Sequence, residues 1–289
     1  MVEASFRLLV FIQNKKGIDV RVCKYFKQLM VALVFGALLI SISSASTFDE
    51  VYVELPSRKK ITQSFLLIDP PNPIASVILF AGGAGYLKLQ PDGSVSSGNF
   101  LVRSRALFAA HGLRVAVFEV PSNKRDDNGL FGGYRRSKKH AQDIEVVVDY
   151  LQAKGTQPVW LVGTSRGSPS AANGAARLAD KNKIKGVVLT SSLSMDNING
   201  TNIFEIDLKL INVPAYVASH KDDRCHVTPP FHVEAIARKL KNSPKVETAL
   251  FEGGDEPRGR ACGAKSEHGF IGIEQEVVTA IVGFIKASS

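Results

Sequence analysis

The sequence predicts an α/β protein built on one mostly parallel sheet flanked by helices. Three observations carry this. Short, nearly continuous apolar runs rich in β-formers recur along the chain, longer segments with helical spacing separate them, and no linker, repeat or low-complexity tract interrupts the chain after Ser46.

The strands are expected at residues 76–80 (SVILF), 114–120 (RVAVFEV), 159–163 (VWLVG), 186–191 (GVVLTS), 215–219 (AYVAS) and 247–251 (ETALF). Runs so continuously apolar suit strands buried on both faces. Helical spacing is clearest over residues 140–152, where Ile144, Val147, Val148 and Leu151 recur at three and four residues. Further helices are expected at 168–178, 230–240 and 273–287, and residues 47–71 suit an antiparallel hairpin that opens the sheet.

The formal charge of +9 changes meaning once it is divided along the chain. Residues 1–45 carry six basic side chains against two acidic ones, a net +4. The remaining basic residues are scattered among acids and not interleaved with aromatics in one stripe, so the composition gives no reason to expect a nucleic-acid partner.

The first segment has the order of a secretory signal. Lys24 and Lys27 precede an uncharged run of about 14 residues, Leu29 to Ile42, and small residues at Ser43 and Ala45 permit cleavage before Ser46. The chain thus reads as a signal segment over 1–45, with an over-extended N-terminus, and one domain over 46–289, exported to the periplasm or secreted. A retained membrane anchor over residues 29–42 is the alternative, and the only route by which a membrane would be a partner; the run is short for a full span. Cys23 leaves with the segment, and the remaining Cys225 and Cys262 are an even number in a compartment that permits disulfides. They are expected to pair, with two buried free thiols as the alternative.

The chemistry centres on VWLVGTSRGSPSAANGAARL, a strand, a sharp turn and an alanine-rich helix, with Gly163, Ser165 and Gly167 in a G-x-S-x-G arrangement. A nucleophile on so tight a turn needs glycines where a side chain would strike the adjoining strand or helix. Ser165 then stands at a helix N-terminus, whose dipole favours developing negative charge. A serine hydroxyl is a weak nucleophile until a base takes its proton, and the base needs a carboxylate behind it.

Of six histidines, His268 is the best placed, in the Ser-Glu-His-Gly-Phe loop between the last expected strand and the C-terminal helix. His111, His140 and His232 suit surface or packing positions, and His226 could line the site. Asp222 and Asp223 both follow the strand AYVAS, and adjacent aspartates point differently, so one should serve. Cys225 lies two residues after Asp223 and Cys262 six before His268, so a bridge would staple the acid loop to the base loop.

The chain order of Ser165, the acid and His268, with the elbow and the strand and helix order, resembles the α/β-hydrolase superfamily from about Val51 to the end. The resemblance implies a single-domain α/β-hydrolase fold and a Ser-His-Asp triad. It takes as acid the fourth residue of a turn whose glycine position here holds His220, which is Asp223, with Asp222 the alternative. It also implies oxyanion donors at the N–H of Arg166, after the nucleophile, and at Gly83 in LFAGGAGY. This loop departs from the His-Gly-Gly-Gly form of many lipases and esterases, and an ordinary glycine-rich turn would read the same.

Only about 20 residues separate the strands ending near Ser192 and beginning near Ala215, too few for a large helical cap. The expected function is therefore hydrolysis, through an acyl-enzyme, of an ester (or a thioester or amide) that is small or polymer-borne and reached from solvent. Acyl transfer by the same triad and noncatalytic binding on the same scaffold are the alternatives. Arg103, Arg105, Arg135, Arg136 and Arg166 could favour an anionic substrate or simply be solvated. No cofactor or metal is expected, since no histidine pair with an acid has ligand spacing and no phosphate-cradling glycine motif is present.

Overall fold

The computed structural model describes residues 12–14, 17–19 and 48–289. The apolar run 29–42, Cys23 and the cleavage position before Ser46 lie outside the described residues. By its contacts the chain divides into two units, Met1–Ser46 and Thr47–Ser289. In the first, β1 (Ile12–Asn14) and β2 (Gly17–Asp19) pair antiparallel.

The second unit is an eight-stranded sheet with helices on both faces. Its strands are β3 (Glu50–Arg58), β4 (Ile61–Ile68), β5 (Ala75–Phe80), β6 (Leu113–Phe118), β7 (Val159–Thr164), β8 (Gly186–Thr190), β9 (Ala215–His220) and β10 (Val246–Phe251). They lie in the order β10-β9-β8-β7-β5-β6-β4-β3. Strands β5 to β10 are mutually parallel, while β4 pairs antiparallel with both β6 and β3. The helices are α1 (Phe100–Arg103), α2 (Arg105–Ala110), α3 (Lys138–Ala153), α4 (Gly167–Leu178), α5 (His232–Lys239) and α6 (Glu274–Ser288).

The apolar runs explain this arrangement. Every residue of β5, β6, β7, β8 and β9 is buried, because helices cover both faces of the sheet. On one face α3, α4 and α5 bring Ile144, Val147, Val148, Ala171, Ala175, Val233 and Ile236 against Ile78, Leu161 and Leu189. On the other, α1, α2 and α6 bring Phe100, Phe108, Val278 and Ile281 against Val77, Val162 and Val188.

The six expected strands and four expected helices all occur, with boundaries within two residues. Three details differ. β6 ends at Phe118, because the buried Glu119 turns its carboxylate to the backbone N–H groups of Leu87, Leu89 and Val120 at 3.0, 2.8 and 2.7 Å. β10 is an edge strand with solvent on part of both faces, so it is not buried like the rest. The stretch after Gly83, where no element is expected, contains α1 and α2, begun by an Asn99 side chain that accepts from Leu101 N at 3.2 Å.

Between β8 and β9 the described chain holds two 3-10 turns, Ile203–Glu205 and Leu208–Leu210, and no helical cap. Among the described residues no helix is long and apolar enough to cross a membrane.

Candidate active site

Ser165 sits at the junction of β7 and α4 with φ of 54°, the left-handed region that a non-glycine residue enters at a cost of about 1–2 kcal/mol. Its backbone is held there from both sides. Its N–H donates to Thr190 O at 3.0 Å, and its carbonyl accepts from Ser168 N at 3.1 Å and Leu193 N at 3.2 Å. The flanking glycines are required by contact: a Cβ at Gly163 would strike the carbonyl of Gly167, and one at Gly167 would strike the carbonyl of Phe80 at the end of β5. The turn is therefore pressed between two parallel strands and its own helix, and this presses Ser165 outward.

The candidate acid lies in the turn after β9. His220 Nδ1 accepts from Asp222 N at 3.1 Å, which leaves Nε2 to donate to Gly253 O at 3.0 Å, and Asp223 N donates to His220 O at 3.1 Å. These bonds turn Asp222 to solvent and Asp223 inward, where it is 6% exposed. Asp223 Oδ1 accepts from Cys225 N at 2.8 Å, and Oδ2 accepts from Thr228 Oγ1 at 3.0 Å and from His268 Nδ1 at 2.9 Å. Donation from Nδ1 leaves the His268 Nε2 lone pair available. Thr228 Oγ1 also lies 3.0 Å from that Nδ1. No sequence pattern flags Thr228, because its role depends on the turn that Asp223 closes.

His268, 6% exposed, occupies a 3-10 turn, Glu267–Gly269. Ser266 Oγ closes the loop behind it on Ala261 O and Gly263 O at 2.7 and 2.9 Å. Phe270 anchors it ahead, fully buried, its ring centroid 4.9 Å from that of Phe100 and 6.0 Å from that of Phe251. Cys225 and Cys262 are joined in a disulfide, which ties the acid loop to the base loop.

The segment Asn99–Arg103 links the serine to the histidine. A Cβ added at Gly82 would lie 2.9 Å from Ser165 Cβ, 3.4 Å from Ser165 Oγ and 3.3 Å from Asn99 Nδ2. One turn further on, Arg103 Nη2 donates to Gly269 O, next to His268, at 2.5 Å. The elbow and the base loop thus flank the same short helix. Among the described residues neither Ser165 Oγ nor His268 Nε2 has a hydrogen-bond partner.

The glycine loop after β5 offers a donor to this space. Gly82 O accepts from Gly85 N at 3.2 Å, so the Gly83 N–H, at the other end of that trans peptide, points the opposite way. Neither this N–H nor that of Arg166 is bonded among the described residues.

The other histidines lie elsewhere. His111 faces Thr279 and Gln275, the wholly buried His140 packs against Phe80, Phe118 and Tyr134, and His232 bonds Ser194 Oγ at 2.9 Å. Burial holds the His140 imidazole well below its usual range, so it is neutral. His226 is exposed, with Nδ1 4.0 Å from Cys262 Sγ. One cluster has the residue types of a metal site: Asp223, Cys225 and His268 bring one donor atom each within 4.8 Å of one another. Its chemistry does not fit, since the sulfur of Cys225 is spent in the disulfide and is no thiolate.

The sheet order, the elbow at the end of β7 and the candidate acid and base on the loops after β9 and β10 define an α/β-hydrolase architecture. The chain belongs to the alpha/beta hydrolase fold family, whose pattern its residues 75–220 match. Among solved structures, an esterase of Pyrococcus furiosus is similar with a TM-score of 0.60 at 14% identity, covering 84% of this chain and 91% of its own. A thermostable carboxyl esterase of Bacillus coagulans is similar with a TM-score of 0.56 at 14% identity, covering 84% of this chain and 99% of its own. A dienelactone hydrolase of Anabaena variabilis gives 0.56 at 13% identity, covering 83% and 98%. At these identities the likeness is one of fold. Among curated proteins none matches this chain by sequence.

Proposed function

We propose that this protein is an exported serine hydrolase that cleaves a carboxylic ester through an acyl-enzyme. The observation that carries the reading is the Asp223–His268 hydrogen bond at 2.9 Å, formed through Nδ1 on the sheet edge that also bears the strained Ser165. In the first half-reaction Ser165 Oγ attacks the ester carbonyl carbon while His268 Nε2 takes the hydroxyl proton. Asp223 fixes the tautomer and stabilises the imidazolium that forms. The tetrahedral intermediate places its oxygen against the N–H groups of Gly83 and Arg166, then collapses, and His268 returns the proton to the departing alcohol. Water repeats the sequence on the acyl-enzyme, releasing the acid and restoring Ser165.

The uncapped stretch between β8 and β9 favours a small or polymer-borne ester reached from solvent. For export, the reading rests on the basic and apolar order of residues 24–45 and on a disulfide suited to an oxidising compartment. A fluorophosphonate probe is expected to label the wild-type protein and to release its fluoride. Ser165→Ala should abolish both labelling and hydrolysis of p-nitrophenyl acetate. Labelling that persists in that variant, or activity that survives it, would overturn the assignment.

A further inference from the structure

Two arginines beside the elbow have no carboxylate partner, unlike the other three that the sequence offers for an anionic substrate. Arg103 pairs with Glu274 and Arg105 with Glu50, both at 2.7 Å, and Arg136 reaches Glu205 at 3.5 Å. Arg135 and Arg166 pair with no acid among the described residues. Arg135 is 3% exposed, a full charge inside the protein. Its Nη1 donates to Ser170 Oγ at 2.6 Å and its Nη2 to Gly83 O and Ala81 O at 3.1 and 3.4 Å, while Nε has no partner. The charge therefore lies directly under the glycine loop.

Arg166 follows the nucleophile, and its half-buried guanidinium lies between the Phe131 loop and the loop leaving β8. On one side it stacks on Phe131, 5.2 Å from the ring centroid, in the loop that reaches over Ala84 through Leu130 N at 2.9 Å. On the other, Nη1 donates to the neutral Asn197 Oδ1 at 2.5 Å, in the loop leaving β8. This contact occupies one of its five N–H donors. Burial, followed by the charge on Arg166, pushes Arg135 down, and burial pushes Arg166 down as well. Both sites therefore lack the counter-charge that buried guanidiniums ordinarily find.

From this we infer that the missing counter-charge belongs to the substrate, an ester bearing a carboxylate on the part that lies against Arg166. Arg135, whose donors are turned to carbonyls and a hydroxyl, adds field and holds the glycine loop, while Arg166 presents the fork that a carboxylate fits. This rests on the serine-hydrolase reading above, and the test separates the two.

The test compares kcat/KM for p-nitrophenyl hydrogen adipate with that for its methyl-capped counterpart, which is equal in chain but neutral. In the wild type the acid-to-neutral ratio is expected to be about tenfold or more at low ionic strength and to shrink as salt is raised. Arg166→Met should bring the ratio to about one, and Arg166→Lys, which keeps the charge but loses the fork, should fall between. If Arg166→Met does not fold, Arg166→Lys and the wild-type salt dependence read the same quantity. Turnover of both esters at a wild-type ratio of one or below, or a ratio unmoved by Arg166→Met, overturns this inference and leaves the hydrolase standing. Failure of both esters together with failure of fluorophosphonate labelling overturns the hydrolase reading, and this inference with it.

Discussion

Each oxygen of the Asp223 carboxylate has its own task, one accepting a backbone N–H and the other accepting Thr228 and His268. Replacing it with asparagine puts an amide where an acceptor is needed and favours the wrong imidazole tautomer. Asp223→Asn is therefore expected to lower kcat by about 10³- to 10⁴-fold, against a change of about twofold or less for the exposed Asp222→Asn. Steady-state kinetics on the two variants checks this, and equal losses would remove Asp223 from the mechanism. From spacing alone the two aspartates are nearly interchangeable. What separates them is the His220 side chain, whose bonds to Asp222 N and Gly253 O set the turn and could not be read without the fold. Ser165 and His268 were legible because a motif and a position near the chain end mark them. Thr228 and Asn99 were not, because each acts through a partner at least five residues away or on another element.

At the scale of elements, the apolar runs of β5 to β9 were readable because burial on both faces leaves no polar position to blur the pattern. The α1 and α2 helices were hidden by their shortness: Phe100–Arg103 and Arg105–Ala110 are too brief to display a period, and only the Asn99 cap marks the start. Glu119 was likewise silent in the sequence, yet it ties the glycine-loop extension to β6. Burial raises its carboxyl above the usual carboxylate range, although three backbone N–H bonds pull the other way. The fold thus keeps this proton at a pH where the unfolded chain has lost it. Its contribution to stability falls as pH rises through the raised folded-state pKa. The unfolding free energy of the wild type relative to Glu119→Gln should therefore decline as pH rises above the ordinary carboxylate range, in urea titrations. A flat or rising difference would contradict it. The disulfide acts at the same scale. With a sequence separation of 37 it closes a loop whose loss is expected to cost about 3 to 4 kcal/mol in the chain-entropy model. Cys225→Ala with Cys262→Ala should show that loss in denaturant unfolding, with a fall in kcat under conditions where the variant is fully folded. An unchanged kcat would mean that the hydrogen bonds around Asp223 hold the two loops without the staple.

For the molecule as a whole, charge and covalent structure lead to one expectation about where the chain is processed. Of the net +9, residues 1–45 supply +4, concentrated ahead of an apolar run too short to span a bilayer comfortably, whereas in the domain many of the cations are paired with acids on the surface. Among the described residues the hydrophobic core is built from residues after 47. The two cysteines that pair both lie after Ser46. Expressed with its own N-terminus in a cell that exports proteins, the full-length chain is expected to yield a product beginning at Ser46. Its intact mass should rise by about two mass units on reduction as one disulfide takes up two hydrogens. A secreted product that retains residues ahead of Leu29 would contradict cleavage before Ser46, and a cytoplasmic one with both thiols free would contradict export.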